Sequence, residues 1–269
     1  MTTTVSIIGC GWLGLPLGKS LVSKGMSVKG STTSEHKLDQ LADVGIEPYH
    51  IALTPVSASV RDFFNTDILI INIPPRNQND DADFHKKQLL FLKHKVIESK
   101  VKHVLFVSST SVYPSSKKIV TEDDASFSGK SRAGISLLEM EHIFTQATQF
   151  STTVIRYAGL IGPERHPGNF FSSDKDYQGG NIPVNLIHRD DCIGIIEFII
   201  AEKLWGETFN ACLPDHPTKE VFYTKASEKL NKKPPSFKDD EGIDYKIVSA
   251  DKLINAGYQF KYEKLMDTI

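Results

Sequence analysis

Val5-Ser6-Ile7-Ile8-Gly9-Cys10-Gly11-Trp12-Leu13-Gly14-Leu15-Pro16 is the stretch that decides the fold. A short apolar run, rich in β-branched residues, ends in Gly-x-Gly-x-x-Gly and passes into an amphipathic segment. The glycines therefore sit where a buried strand turns into a helix. In that context each glycine has a separate role. Gly9 permits the tight turn, Gly11 lets a pyrophosphate approach the backbone, and Gly14 lets the helix pack on the strand. Cys10, Trp12 and Leu13 complete the loop, and the helix N-terminus offers amide donors to the anion. Pro16 falls in the first turns of the helix, where its missing N–H is tolerated.

Outward from this loop, short apolar runs alternate with amphipathic stretches, the pattern of βαβ units feeding a parallel sheet. The pattern predicts strands over 5–8, 27–29, 47–51, 68–73, 103–108 and 152–157, with helices near 12–24, 34–44, 82–99 and 132–149. The fold class is α/β, a Rossmann-type doubly wound parallel sheet. After Tyr157 the pattern loosens into loops bearing Gly and Pro over 159–180. A segment over 182–188, a helix from about Asp191, a strand over 207–212 and helices near 218–231 and 249–255 follow. The polar stretch 231–241 reads as a surface connection. Residues 1–158 are expected to form the NAD(P)-binding core. Residues 159–269 would add a small C-terminal substrate lobe and closing elements of the same structural unit.

Composition narrows the function classes. A chain of 269 residues with 40% hydrophobic and 24% charged residues can bury a large core without disulfide or metal staples. Its formal charge of −2 leaves no strongly basic face, so nucleic acid is not an expected partner and a small molecule is. No run approaches the roughly 20 apolar residues of a membrane helix. Residues 1–4 lack the basic side chain of a signal peptide. Cys10, Cys192 and Cys212 are odd in number and far apart, as reduced thiols of a cytoplasmic protein would be. There is no HExxH, no Cys/His set with zinc spacing and no GxSxG, so neither a metal site nor an α/β-hydrolase is expected. The Lys/His-rich 86–102 segment alternates with Leu89, Leu90, Leu92, Val96 and Ile97 and reads as an amphipathic helix with a solvated basic face.

The residues after the second strand select the cofactor. An NAD site places a carboxylate there to hold the ribose hydroxyls. This chain reads Lys29-Gly30-Ser31-Thr32-Thr33-Ser34, with Lys37 nearby. Hydroxyls from Ser31, Thr32 and Thr33 together with Lys37 suit a 2′-phosphate, which favours NADP, with NAD the alternative. The same stretch also supports a capping box of Thr32 with Glu35, which needs no ligand.

Two later stretches, Val107-Ser108-Ser109-Thr110-Ser111-Val112-Tyr113-Pro114 and Arg156-Tyr157-Ala158-Gly159-Leu160-Ile161-Gly162-Pro163, carry a family resemblance. With Ile187-His188-Arg189-Asp190-Asp191 and Gly257-Tyr258-Gln259-Phe260 they make the chain similar, over nearly its whole length, to the extended short-chain dehydrogenases/reductases. These are the nucleotide-sugar epimerases and dehydratases, and the chain looks closest to atypical members with GxGxxG. The resemblance implies NAD(P)-dependent oxidoreductase or epimerase chemistry, with homodimers common. It implies that Ser109 contacts the reacting oxygen and that Ile73-Pro74-Pro75 borders the adenosine or ribose of the cofactor, with Tyr157 also near the cofactor.

The family's YGxSKxxxE pattern aligns with Ala133-Gly134-Ile135-Ser136-Leu137-Leu138-Glu139-Met140-Glu141. Ala133 then stands at the tyrosine place and Leu137 at the lysine place, and neither can move a proton. Loss of a positioned general acid removes about 10²- to 10⁴-fold of rate. Tyr113 is the replacement acid singled out, with Arg132, Tyr157 and His188 as further candidates. A non-catalytic NAD(P)-binding sensor or regulatory module is the alternative function. Arg165 and His166 beside a Gly-Pro pair suggest an anion clamp or a solvated loop.

Overall fold

Val5, Ile7 and Ile8 are β-branched and buried, and a strand apolar on both faces belongs in the middle of a covered parallel sheet. The computed structural model describes residues 2–53, 61–73, 82–127, 132–238 and 242–269, the side chains of 61, 82, 83 and 132–135 lying outside that description. In it Thr4–Ile8 pairs in parallel with Ser27–Thr32 on one side and Ile68–Ile71 on the other, Val5 facing Val28 and Ile68. The parallel sheet has seven strands in the order Thr208–Ala211, Ser151–Tyr157, His103–Ser109, Ile68–Ile71, Thr4–Ile8, Ser27–Thr32, Glu47–His50. The order reverses at Thr4–Ile8. In doubly wound sheets ligands bind outside the carboxyl ends of the strands at such a switch point.

Local boundaries differ from the sequence reading for identifiable reasons. The second strand runs on to Thr32, because its ladder with Glu47–His50 is a backbone property that polar side chains do not interrupt. The predicted helix over 34–44 is a 3₁₀ turn, Glu35–Lys37, followed by a short α-helix, Leu38–Ala42. Gly45, at φ +80°, closes it: Ile46 N–H donates to Leu41 O and Gly45 N–H to Ala42 O, a Schellman ending. The helix predicted to 149 is Arg132–Thr145, and Thr152 Oγ1 donates to Phe144 O near its end. In Ala82–Ile97, Leu89, Leu92 and Val96 are buried while Leu90 and Ile97 stay exposed, so the apolar stripe is narrower than the leucines suggested.

The chain divides into two compact units that interleave along the sequence. The first comprises Met1–Ser108, Ser136–Ile155 and Ile199–Thr208. Its core sets Ile8, Phe63, Leu69, Leu89, Leu92, Val104, Phe106, Phe144 and Val154 together. The second comprises Ser109–Ile135, Arg156–Phe198 and Phe209–Ile269, with a core of Ile161, Val184, Leu186, Leu213, Phe222, Tyr223 and Leu265. Three parallel strand pairs lie in it: Gly159–Ile161 with Leu186–His188, Asp176–Gln178 with Ser236–Lys238, and Lys118–Val120 with Lys246–Val248. Ser236–Lys238 falls in the stretch expected to be a plain surface connection. A three-residue strand carries too little alternation to be read from sequence, and here Phe237 anchors it against Phe171 and Tyr177.

Candidate dinucleotide site and the cluster around Tyr113

The glycine loop sits at the switch point, between the ends of Thr4–Ile8 and Ile68–Ile71. Gly9 has φ +97°, and a Cβ added to it would lie 2.4 Å from Asn72 O. A Cβ on Gly14 would lie 2.2 Å from Gly9 O. Both glycines are thus required by the chain's own packing. Gly11 is different. It is exposed, its φ is not among the positive values, and an added Cβ would meet nothing within 4 Å. The space in front of Gly11 is open, so nothing of the chain blocks an anion from approaching the backbone there. The residues present therefore fit a dinucleotide.

Polar contacts to two neighbouring strand ends hold the start of the loop. Gly9 N–H donates to Ser31 Oγ (3.0 Å), Cys10 N–H to Ser31 O (2.8 Å), and Asn72 Nδ2 to Gly9 O (3.0 Å). The helix that follows, Gly14–Ser23, has no side-chain cap and no acidic residue in its first turn, so its N-terminal dipole is not offset there by a carboxylate. Cys10 and Leu13 are buried. The Cys10 thiol lies over Gly30, where an added Cβ would come within 2.7 Å of it, and burial pushes it up to about 12. Trp12 is half-buried. Sequence reasoning missed Asn72, for which an amide ending a run of isoleucines beside the first strand was the available signal.

The hydroxyls after the second strand divide. Ser31 is buried and engaged with the loop, and Thr32 Oγ1 accepts from Ser34 N–H (3.1 Å). The Thr32–Glu35 capping box does not form: Thr32 Oγ1 accepts from the Ser34 amide instead, and Ser34, the N-cap of Glu35–Lys37, makes no side-chain cap bond. Thr33 and Lys37 remain exposed, and the Glu35 carboxylate faces His50 Nδ1 at 3.7 Å. Ile73 is half-buried, its Cγ2 lying 3.2 Å from a Cβ added to Gly9. Pro74, Pro75 and Arg76 lie outside the described residues.

Beside the aligned YGxSKxxxE stretch, Ser108 Oγ donates to the buried Glu141 Oε1 (2.5 Å). The glutamate of the pattern is thus built into the first unit. Leu137 is half-buried in a helix, and Ala133 and Arg132 have helical backbone with side chains outside the described residues.

In the second unit Ser109 caps the Thr110–Val112 turn, its Oγ accepting from Ser111 N–H (3.2 Å) and donating to Ser111 Oγ (3.1 Å). Tyr113, only 2% exposed, donates from its hydroxyl to Asn210 Oδ1 (2.6 Å) and accepts from Arg156 Nη1 (2.7 Å). Around this pair, Arg156 also donates to Glu122 O, Asn210 N–H to Glu122 Oε1, and Lys246 Nζ to the carbonyls of Thr110 and Tyr113. Burial pushes the Tyr113 phenol up to about 12 in spite of Arg156. A hydroxyl this enclosed has the arrangement of a structural keystone. Asn210 and Lys246 were not singled out by sequence, and only the tertiary fold brings them to Tyr113 from 97 and 133 residues away.

Tyr157 is buried, donates to Cys192 O (2.7 Å), and is raised far above the ordinary phenol value by burial. His188 is buried, its ring 4.8 Å edge-on from Tyr262 and its Nδ1 accepting from Asp190 N–H. His166 Nδ1 accepts from Gly168 N–H, so this ring caps a turn. Among the described residues no group of three His, Cys, Asp or Glu side chains is placed to hold a metal, and no helix is long and apolar enough to cross a membrane.

No protein-family model matches the chain. Protein YeeZ of Escherichia coli (strain K12) is 32% identical over 265 residues, spanning 96% of this chain and 96% of that protein. Among solved structures, UDP-glucuronic acid 4-epimerase from Bacillus cereus in complex with NAD superposes with a TM-score of 0.80 at 16% identity, covering 99% of this chain and 96% of that one. A short-chain dehydrogenase/reductase superfamily protein from Agrobacterium tumefaciens with bound NAD gives 0.77 at 16% identity, with 98% and 94% covered. The chain therefore has the fold of the NAD-dependent epimerases and other short-chain dehydrogenase/reductase proteins, and it belongs to the family of Protein YeeZ.

Proposed function

We propose that the chain binds a nicotinamide dinucleotide at Gly9–Gly14, NADP(H) in preference to NAD(H), and acts as an oxidoreductase or epimerase-like enzyme on a small carbonyl or nucleotide-sugar substrate. The observation that carries this reading is Gly11, which neither backbone conformation nor neighbouring atoms require to be glycine. Gly11 and the amides opening the Gly14–Ser23 helix would hold the pyrophosphate, with Trp12 and Leu13 shaping the loop and Ile73 bordering the adenosine or ribose. Thr33 and Lys37 are the groups left to meet a 2′-phosphate, with Ser31 and Thr32 setting the backbone that carries them. A bound nicotinamide supplies hydride chemistry, and the protein supplies binding and orientation. Ser109 would hydrogen-bond the reacting oxygen, the residue being half-buried and its hydroxyl held among the described residues by the neighbouring Ser111. Tyr113 would position that turn as a keystone, and the resemblance puts Tyr157 with the cofactor-binding residues. Three buried, unpaired thiols suit the reducing cytoplasm, and a homodimer is the assembly the resemblance suggests.

A second reading has its own support. Ala133 and Leu137 occupy the places of the proton-transfer pair, which favours a dinucleotide-responsive regulatory module without turnover. Calorimetric titration of the purified protein with NADPH and NADH in the same salt tests the shared premise. Tighter NADPH binding by tenfold, about 1.4 kcal/mol, supports the cofactor assignment, preference for NADH reverses it, and no binding of either rejects both readings. Isotope transfer from labelled NADPH to a carbonyl or nucleotide-sugar substrate then separates enzyme from sensor.

A further inference from the structure

The segment Glu164-Arg165-His166-Pro167-Gly168-Asn169-Phe170 is not absorbed by the dinucleotide site, and it borders a cavity of its own. Gly168, Asn169, Phe171, Ser172, Ser173, Lys232 and Lys233 line an open surface cavity of about 390 Å³ within the second unit. That volume lies within the roughly 300–1,000 Å³ of small-molecule sites.

Its walls are held firmly. A Cβ on Gly168 would lie 2.3 Å from Ala226 O, so the turn carrying Asn169 packs directly on the Lys219–Lys229 helix. The Phe171 ring is fixed edge-on against Tyr223 at 4.5 Å and Tyr177 at 4.6 Å. His166 caps the same turn through Gly168 N–H. Lys232 Nζ donates to Asn169 Oδ1, a neutral acceptor that orients the ammonium without cancelling its charge. Among the described residues neither Lys232 nor Lys233 has an ion-pair partner. Asp174, next to Ser173 in the chain, accepts from Ser172 Oγ at 3.4 Å. Burial, with help from the Lys232 charge, holds the His166 imidazole below its ordinary value.

We infer that this cavity binds the phosphate group of a small organic phosphate, with Lys232 and Lys233 supplying charge, Ser173 and Asn169 supplying hydrogen bonds, and Phe171 forming an apolar wall. Two ammonium groups, a hydroxyl and an amide match the several acceptor oxygens of a phosphate dianion. The site is separate from the glycine loop and does not depend on the cofactor assignment.

The test is a titration of the full chain with inorganic phosphate and with pyrophosphate at constant ionic strength, read by calorimetry and by the NMR titration of His166. The parent protein should bind saturably with a His166 response, and the His166 pKa should rise as the anion offsets Lys232. The double variant Lys232→Gln/Lys233→Gln, at exposed positions, should lose at least tenfold in affinity, while a Gly11→Asp variant should keep the His166 response. Binding that is non-saturable, equal in the double variant, or lost with Gly11→Asp would overturn the inference.

Discussion

The glycine loop makes a prediction in which three substitutions of the same kind must behave differently. In Gly9→Ala the new methyl meets Asn72 O at 2.4 Å, and the backbone already holds φ +97°, a region L residues avoid. Left-handed backbone costs about 1–2 kcal/mol and overpacking about 1–3 kcal/mol. The loss should therefore be about 2–5 kcal/mol, or roughly 5–15 °C in melting temperature for a chain of this size. Gly14→Ala has no positive φ but meets Gly9 O at 2.2 Å, so overpacking alone, about 1–3 kcal/mol, applies. Gly11→Ala meets nothing within 4 Å and should change stability by no more than about 1 kcal/mol, with the sign of a gain. Its effect should instead fall on NADPH, weakening it tenfold or more, since a methyl group would stand where the pyrophosphate approaches. Urea unfolding beside calorimetric titration measures both quantities for each variant. A Gly11→Ala protein that binds NADPH as tightly as the parent, or that loses as much stability as Gly9→Ala, would refute the assignment of the three roles.

Other consequences follow from single residues. Tyr113→Phe removes the donor to Asn210 Oδ1 and the acceptor for Arg156 in a buried cluster, and should cost about 1–3 kcal/mol in urea unfolding with NADPH affinity unchanged; a loss below 0.5 kcal/mol, the noise level of surface substitutions at roughly that size, would remove its keystone role. Asp67, whose Oδ2 accepts from Thr4 N–H and Thr4 Oγ1, is held below its ordinary 3.8 chiefly by the Thr4 amide. Its contribution is therefore present above pH 3.8 and lost as pH falls through the lower folded-state value. Asp67→Asn should flatten the acid side of the stability profile, modestly because the side chain is 41% exposed. Cys10, Cys192 and Cys212 are buried with thiols pushed upward, so a thiol reagent at neutral pH should label none of them rapidly in the native protein and all three after unfolding.

Much of the first unit was legible because its signals are local. Continuous β-branched runs at Thr4–Ile8 and Ile68–Ile71 can only be buried on both faces, and a glycine loop between strand and helix has few other uses. The second unit was less legible. Its strands of three residues, such as Lys118–Val120 and Ser236–Lys238, are too short for periodicity and exist because a distant partner segment offers a ladder. The hydroxyls of Ser31 and Thr32 were readable as polar groups near a cofactor, but their commitment to Gly9 and Ser34 amides depends on how the second strand lies beside the loop.

Sequence alone determined the parallel α/β sheet and the strand, glycine turn and helix junction at Gly9–Gly14, because each is written in adjacent residues. Tertiary structure decided the rest: that Asn72 braces the loop across the switch point, that Tyr113 is enclosed by Arg156, Asn210 and Lys246, and that Lys232 and Lys233 face a turn some sixty residues earlier in the chain. Side-chain hydrogen bonds and cavities of this kind join segments whose separation in the chain carries no local pattern, so packing alone brings their partners together.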